Sequence, residues 1–260
     1  MSDDIILLEI EDKVANVTLN KSYIHNAFDD EMIVQLSAIF DELSGRDDII
    51  AVVLRGAGKS FSAGADLNWM KRAAKYTHKQ NKADALALAE MLCKLNNMPK
   101  VTIACVKGAA MGGGIGLVAC CDIVIADDSS LFALSEVKLG LIPATISPYI
   151  LAAIGARHAR RFFQTGERFG MEEAHRIGLV HIAAKRPEDM YHHLNHILKE
   201  VRANGSKAMA ASKRLCFDFA GKEINSEIID DTANRIAVTR SCDEAKEGLS
   251  AFLEKRKPEF

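Results

Sequence analysis

Residues 101–126 read VTIACVKGAAMGGGIGLVACCDIVIA, and this stretch decides the fold class. Val101–Val106 is an apolar, β-branched run without charge, the composition of a strand buried on both faces. A glycine-rich break, Gly108–Gly116, follows it. Only about two helical turns fit before Ile123–Ala126 takes up the strand composition again. Strands alternating with helices point to a mostly parallel sheet covered by helices.

The same pattern extends outward. Toward the N-terminus, Ile49–Leu54 is another buried strand, and Ile5–Leu8 and Val14–Leu19 read as two early strands. Glu31–Leu43 carries Met32, Leu36, Ile39, Phe40 and Leu43 at helical spacing, and Ala83–Leu95 repeats that pattern. A second glycine-containing break, Gly56–Gly64, precedes a helix opening at Asp66–Met70. Beyond Pro143 the pattern turns helical: Ile150–Gly155, Glu172–Gly178, Glu188–Arg202, Ser206–Phe219, Lys222–Arg240 and Asp243–Lys257. Residues 201–260 contain no good strand. The expectation is a mixed α/β core over 1–200 and a helical region over 201–260.

Composition narrows the function classes. The chain has 260 residues with 33 Lys plus Arg against 35 Asp plus Glu, a formal net charge of −2. So balanced a chain offers no global attraction for nucleic acid or an anionic membrane. Its apolar stretches are broken by Gly or charge well short of membrane-spanning length. The opening MSDDIILLEI is acidic and has no basic leader region, which suggests a cytoplasmic protein. Cys93, Cys105, Cys120, Cys121, Cys216 and Cys242 show no CxxC spacing, so buried, reduced thiols are expected and no paired zinc ligands are present. His192, His193 and His196 fall on a surface helix without a third ligand, and Arg157, Arg160 and Arg161 read as a solvated or salt-bridged face.

Two turns can carry chemistry. Phe61-Ser62-Ala63-Gly64-Ala65-Asp66-Leu67 follows a strand and enters a helix, where small residues admit close backbone approach and free N–H groups point outward. Met111-Gly112-Gly113-Gly114-Ile115-Gly116-Leu117 stands in the same position after the next strand. Three consecutive glycines are costly in chain entropy, so they imply a path that side chains would block. One N–H from each turn on a single oxygen is the requirement of an oxyanion hole; packing alone is the competing reading of both turns. A phosphate loop ending in Gly58-Lys59-Ser60 fails because Val53 stands where its first glycine belongs. Gly114-Ile115-Gly116-Leu117-Val118-Ala119 fits a loose dinucleotide fingerprint with Asp127 and Asp128 beyond the next strand, but the helix is short for that unit. Glu136, in LSEVKLG (residues 134–140), is a carboxylate in an apolar stretch. Burial would raise its pKa toward the range of a proton-transfer group, and an exposed acid is the alternative.

At these residues the sequence resembles the crotonase superfamily: FSAGADLNWM, KGAAMGGGIGLVACCDIVIA, FALSEVKLGLIP and the ending AFLEKRKPEF match its order and spacing over almost the whole chain. The resemblance implies a spiral of ββα turns with a helical C-terminal trimerisation region, and a homotrimer or a dimer of trimers. It implies an acyl-coenzyme A thioester as substrate, no separate cofactor because coenzyme A is part of that substrate, no metal, and no nucleic-acid or membrane partner. Ala65 and Gly113 match the two oxyanion-hole positions. Ser62, Ala63, Gly64, Asp66, Leu67, Asn68 and Gly112 match segments lining the substrate, and Phe252 and Lys255 match positions that reach a neighbouring subunit's coenzyme.

Glu136 matches the second of two catalytic glutamates, while Gly116 stands where the first belongs. The implied activity is hydration of a 2-enoyl thioester. The wording SAGADLNWM, GLVACCD and LSEVKLGLIPATISPY resembles the methylglutaconyl-CoA hydratases of leucine catabolism. An isomerase using Glu136 alone, or a non-catalytic acyl-CoA binder, would also lack the first glutamate.

Overall fold

The computed structural model describes residues 4–260. Residues 1–3 of the acidic opening lie outside the described residues. The chain runs β1 (Ile6–Glu11), β2 (Val14–Leu19), α1 (Asp30–Gly45), β3 (Ala51–Gly56), α2 (Leu67–Ala73), α3 (His78–Asn97), β4 (Val101–Val106), β5 (Ala109–Met111) and α4 (Gly113–Cys120). It continues through β6 (Ile123–Asp127), β7 (Leu131–Ala133), α5 (Ser147–Thr165), β8 (Arg168–Gly170), α6 (Met171–Arg176), β9 (Ile182–Ala184) and α7 (Pro187–Arg202). It ends with α8 (Ser206–Phe219), α9 (Ser226–Ser241) and α10 (Asp243–Glu254).

The strands form two sheets. The larger has the order β1-β2-β3-β4-β6-β9, antiparallel only between β1 and β2. Its inner strands are buried on both faces, which is why β3 and β4 read as continuous apolar runs rather than alternating ones. On one face Val53, Ile103, Cys105 and Ile125 pack against Leu194, Leu198 and Val201 of α7. On the other, Val52, Leu54, Ala104 and Val124 join a larger core with Met32, Leu36 and Phe40 of α1 and Leu92 and Leu95 of α3. Each buried Val, Leu, Ile, Phe or Met among them contributes about 1.5–3 kcal/mol by leaving water.

The smaller sheet, β5-β7-β8, is absent from the sequence expectation. Strands of three residues are too short to show a period. It nevertheless organises the molecule. In β4–β5–α4 and β6–β7–α5 the chain lays one strand in the large sheet, one short strand in the small sheet, then a helix. This is the ββα spiral the resemblance implies. Near β3 the second strand shrinks to a single bridge between Ser62 and Ala110.

Several boundaries move. α5 extends the expected Ile150–Gly155 to Thr165 by bending at Gly155, whose φ of 70° suits glycine. α3 begins earlier than its apolar pattern because Thr77 and Gln80 form a reciprocal cap. Among the described residues, 201–260 hold helices and no strand, and no helix is long and apolar enough to cross a membrane. Burial of the thiols is only partial: Cys105, Cys120 and Cys121 are buried, Cys93 and Cys216 are exposed, and Cys242 lies between.

Candidate active site

The two turns meet side by side. Phe61 N–H donates to the Lys107 carbonyl, Ser62 N–H to that of Ala109, and Met111 N–H to that of Ser62, each at 2.9 Å. These bonds run the first turn along β5. On its other flank, Phe28 N–H donates to the Gly64 carbonyl and Asp66 N–H to the Phe28 carbonyl, both at 2.7 Å. Asp66 Oδ1 then accepts from Asn68 and Trp69 N–H and caps α2.

Ala65, held between these anchors, has an N–H that meets no acceptor among the described residues.

The second turn is built by close approach. Gly112 has φ 52° and ψ −120°, a conformation reserved for glycine. A Cβ on Gly114 would fall 2.7 Å from the Ser62 carbonyl oxygen. Gly113 is the first residue of α4, where no intrahelical acceptor exists for its N–H, and none is supplied from elsewhere among the described residues.

Ala65 and Gly113 both line a cavity of about 370 Å³. Glu136 lines it too, at the start of a short 3-10 turn, Glu136–Leu139. Its Oε1 lies 3.6 Å from where a Gly112 Cβ would stand. Its Oε2 is buried without a hydrogen-bond partner among the described residues. Burial pushes the Glu136 carboxyl above the ordinary glutamate range, and no neighbouring charge contributes to that shift.

The remaining wall is mostly apolar: Phe28, Trp69, Met70, Leu88, Leu141 and Ile146 are typical. One further acid belongs to it. Asp84 on α3 accepts a hydrogen bond from Trp69 Nε1–H at 3.0 Å. No Lys, Arg or His lines the cavity among the described residues.

The structure thus brings Ala63, Gly64, Ala65, Gly112, Gly113 and Glu136 to one cavity. It sets the other expected site residues apart. The Ser62 side chain is fully buried behind the turn, and its Oγ has no partner among the described residues. The Asp66 carboxylate is committed to capping, and Leu67 and Asn68 point to solvent on the first turn of α2.

Gly116 is buried beneath the wall: a Cβ there would fall 2.5 Å from Ile146 Cγ2. Phe252 and Lys255, near the end of α10, are exposed and off the cavity of their own chain.

Trp69 and Asp84 escape the sequence reading. Asp84 occupies the apolar stripe of α3, four residues before Leu88 and eight before Leu92. An acid on the core-facing stripe of a helix was the available signal.

The competing readings lose their residues. Asp127, the acid required by a dinucleotide unit, is buried, and Ser129 N–H and Oγ–H both donate to its Oδ1. α4 has eight residues, too short for that crossover. Among the described residues no group of three or more His, Cys, Asp or Glu is placed to hold a metal ion. Arg161 pairs with Glu167 and Glu173 on the surface.

Comparison with known proteins gives the family and the fold. The family described as Enoyl-CoA hydratase/isomerase matches residues 9–260. A short-chain-enoyl-CoA hydratase of Clostridium acetobutylicum is 30% identical over 256 residues, covering 98% of this chain and 96% of its own. A crystal structure of an enoyl-CoA hydratase from Shewanella pealeana superposes with a TM-score of 0.96 at 40% identity, over 99% of this chain and 96% of that one. An enoyl-CoA hydratase/isomerase from Marinobacter aquaeolei gives 0.92 at 35% identity, over 98% of each chain.

Proposed function

The chain belongs to the enoyl-CoA hydratase/isomerase family, and we propose that it adds water across, or removes water to form, the double bond of a 2-enoyl-coenzyme A thioester. One observation carries the reading. Two backbone N–H groups without acceptors among the described residues, on Ala65 and Gly113, line the same cavity as a buried carboxylate whose Oε2 has no partner among them.

In this mechanism both N–H groups hold the thioester oxygen and stabilise the enolate as charge moves onto it. Glu136, ionised, accepts a proton from the attacking water. The hydroxyl bonds to the β-carbon, and Glu136 delivers the proton to the α-carbon. Dehydration reverses each step. The raised pKa suits a group that must both accept and return a proton. The local wording of the sequence favours a methylglutaconyl thioester. The cavity weighs against it, because an acyl carboxylate would meet Asp84 and Glu136 with no cation on the wall among the described residues. Our reading is therefore a 2-enoyl group without a terminal charge.

A second reading is movement of a 3-enoyl double bond to the 2-position. The closure of the Gly116 site by Ile146 favours it, since a single carboxylate suffices to carry a proton between two carbons. Oxygen-18 and deuterium labelled water separate the two with a panel of enoyl-CoAs. Oxygen label in the product supports hydration. Deuterium on carbon without oxygen label would replace it with isomerisation, and no conversion would leave only binding.

We propose a homotrimer or a dimer of trimers. Exposed Ile229, Ile236 and Val238 on α9 and Leu249, Phe252 and Leu253 on α10 support burial of this region against another copy. A monomer mass in solution at micromolar concentration would contradict it.

A further inference from the structure

Asp84 is an acid where α3 should be apolar. Residues spaced along the same stripe, Leu88, Leu92 and Leu95, pack inward. Met70, Ala73 and Trp69 face the cavity beside it. Trp69 is almost wholly buried, and its indole N–H fixes Asp84 Oδ1. The second oxygen has no protein partner among the described residues, and it is not sealed from solvent.

Water can satisfy that oxygen while the cavity is empty. When a thioester fills the cavity and displaces the water, the oxygen keeps its desolvation cost unless the ligand supplies a donor. A site built around a hydrogen-bonding group in this way discriminates against ligands that lack the complement.

We propose that Asp84 is a specificity residue that accepts a hydrogen bond from a hydroxyl on the acyl chain beyond the reacting carbons and rejects chains ending in a carboxylate. The inference rests on the acyl-CoA reading of the cavity and narrows its substrate class to hydroxylated enoyl groups. Asp84 stands on α3 and Glu136 on the short turn Glu136–Leu139, so the two acids reach the cavity from different elements.

The test is calorimetry on the full chain with 6-hydroxyhexanoyl-CoA, hexanoyl-CoA, adipyl-CoA and free coenzyme A. These thioesters share a chain length and differ in the terminal group. The parent protein should bind the hydroxylated thioester about tenfold tighter than hexanoyl-CoA, and adipyl-CoA most weakly. Asp84→Asn keeps an oxygen for Trp69 and turns an amide N–H toward the cavity. It should tighten adipyl-CoA about tenfold and erase the hydroxyl preference, with free coenzyme A unchanged. Trp69→Phe releases Asp84 and should blunt the preference without reversing it.

An Asp84→Asn variant that orders the three thioesters as the parent does would reduce Asp84 to a clamp between α2 and α3 and overturn the inference. An equal shift for free coenzyme A would place the contact on the coenzyme and overturn it too. If neither the thioesters nor coenzyme A bind the parent protein, the acyl-CoA reading falls and this inference with it. Binding without discrimination overturns the inference alone.

Discussion

The turns FSAGADL (61–67) and MGGGIGL (111–117) do the same job by opposite means. The first is held by bonds to both flanks and by the Asp66 cap, so the donor residue, Ala65, keeps a side chain and stands exposed. The second has no side-chain cap and gains its place by closeness: Gly114 lies against the Ser62 backbone, Gly113 against the Phe28 ring, and Gly112 beside Glu136. The glycines of the second turn follow from the position of the first. The anchored donor leaves its Cβ free, while a Cβ on the wedged donor would press on the Phe28 ring at 3.3 Å and one on the next residue would meet the Ser62 backbone.

The largest effect should come from the group that leans on the wedged turn. Glu136→Gln should lower kcat about a thousandfold with binding retained, because the amide keeps the shape but does not exchange the proton. The same variant should be more stable than the parent at neutral pH. The folded Glu136 carboxyl sits above the unfolded value of about 4.3, so the folded chain binds this proton more tightly. Its contribution to stability is full below that value and falls as pH rises through the folded one. Thermal melts should therefore show a higher Tm for Glu136→Gln at pH 7 and a smaller difference near pH 4.

Gly113→Pro tests the wedged donor. Proline is accepted at the first position of a helix, so α4 should survive while the N–H is lost. Steady-state kinetics should show kcat lower by roughly a hundred- to a thousandfold, and normal turnover by the folded variant would make the turn a packing device. Gly114→Ala is gentler in chemistry but forces Cβ into the Ser62 backbone. Denaturant melts should show a loss of about 1–3 kcal/mol. The smallest effect is expected at the anchored donor. Ala65→Gly keeps the N–H and every anchoring bond, and its kcat should stay within about threefold of the parent. A loss as large as that of Gly113→Pro would erase the contrast between the turns.

The difference also explains what could be read in advance. Val14–Leu19, Val101–Val106 and Ser206–Phe219 coincide with expectation because apolar periodicity and length speak for themselves there. The three-residue strands and the Ser62–Ala110 bridge depend on register set by distant chain, which no local period records. The Gly-rich turns were visible as sequence, but which neighbour demanded each glycine was not. Gly116 counts as a site position because the resemblance places it where the first catalytic glutamate belongs. One turn of helix instead carries it beneath Ile146. Glu136 was visible as an acid among apolar residues, whereas its burial needed the fold. Asp84 is legible only as a break in a helical stripe, because apolar members alone define such a pattern.

Exchange of the α-hydrogens of butyryl-CoA in deuterium oxide, followed by mass analysis, tests the central claim most directly. A saturated thioester can neither hydrate nor isomerise, so exchange reports only enolate formation at the Ala65, Gly113 and Glu136 site. The account predicts that the parent protein exchanges one α-hydrogen with fixed stereochemistry, and that Glu136→Gln and Gly113→Pro each abolish the exchange while still binding the thioester. Binding by the parent without exchange, or exchange undiminished in Glu136→Gln, would contradict it.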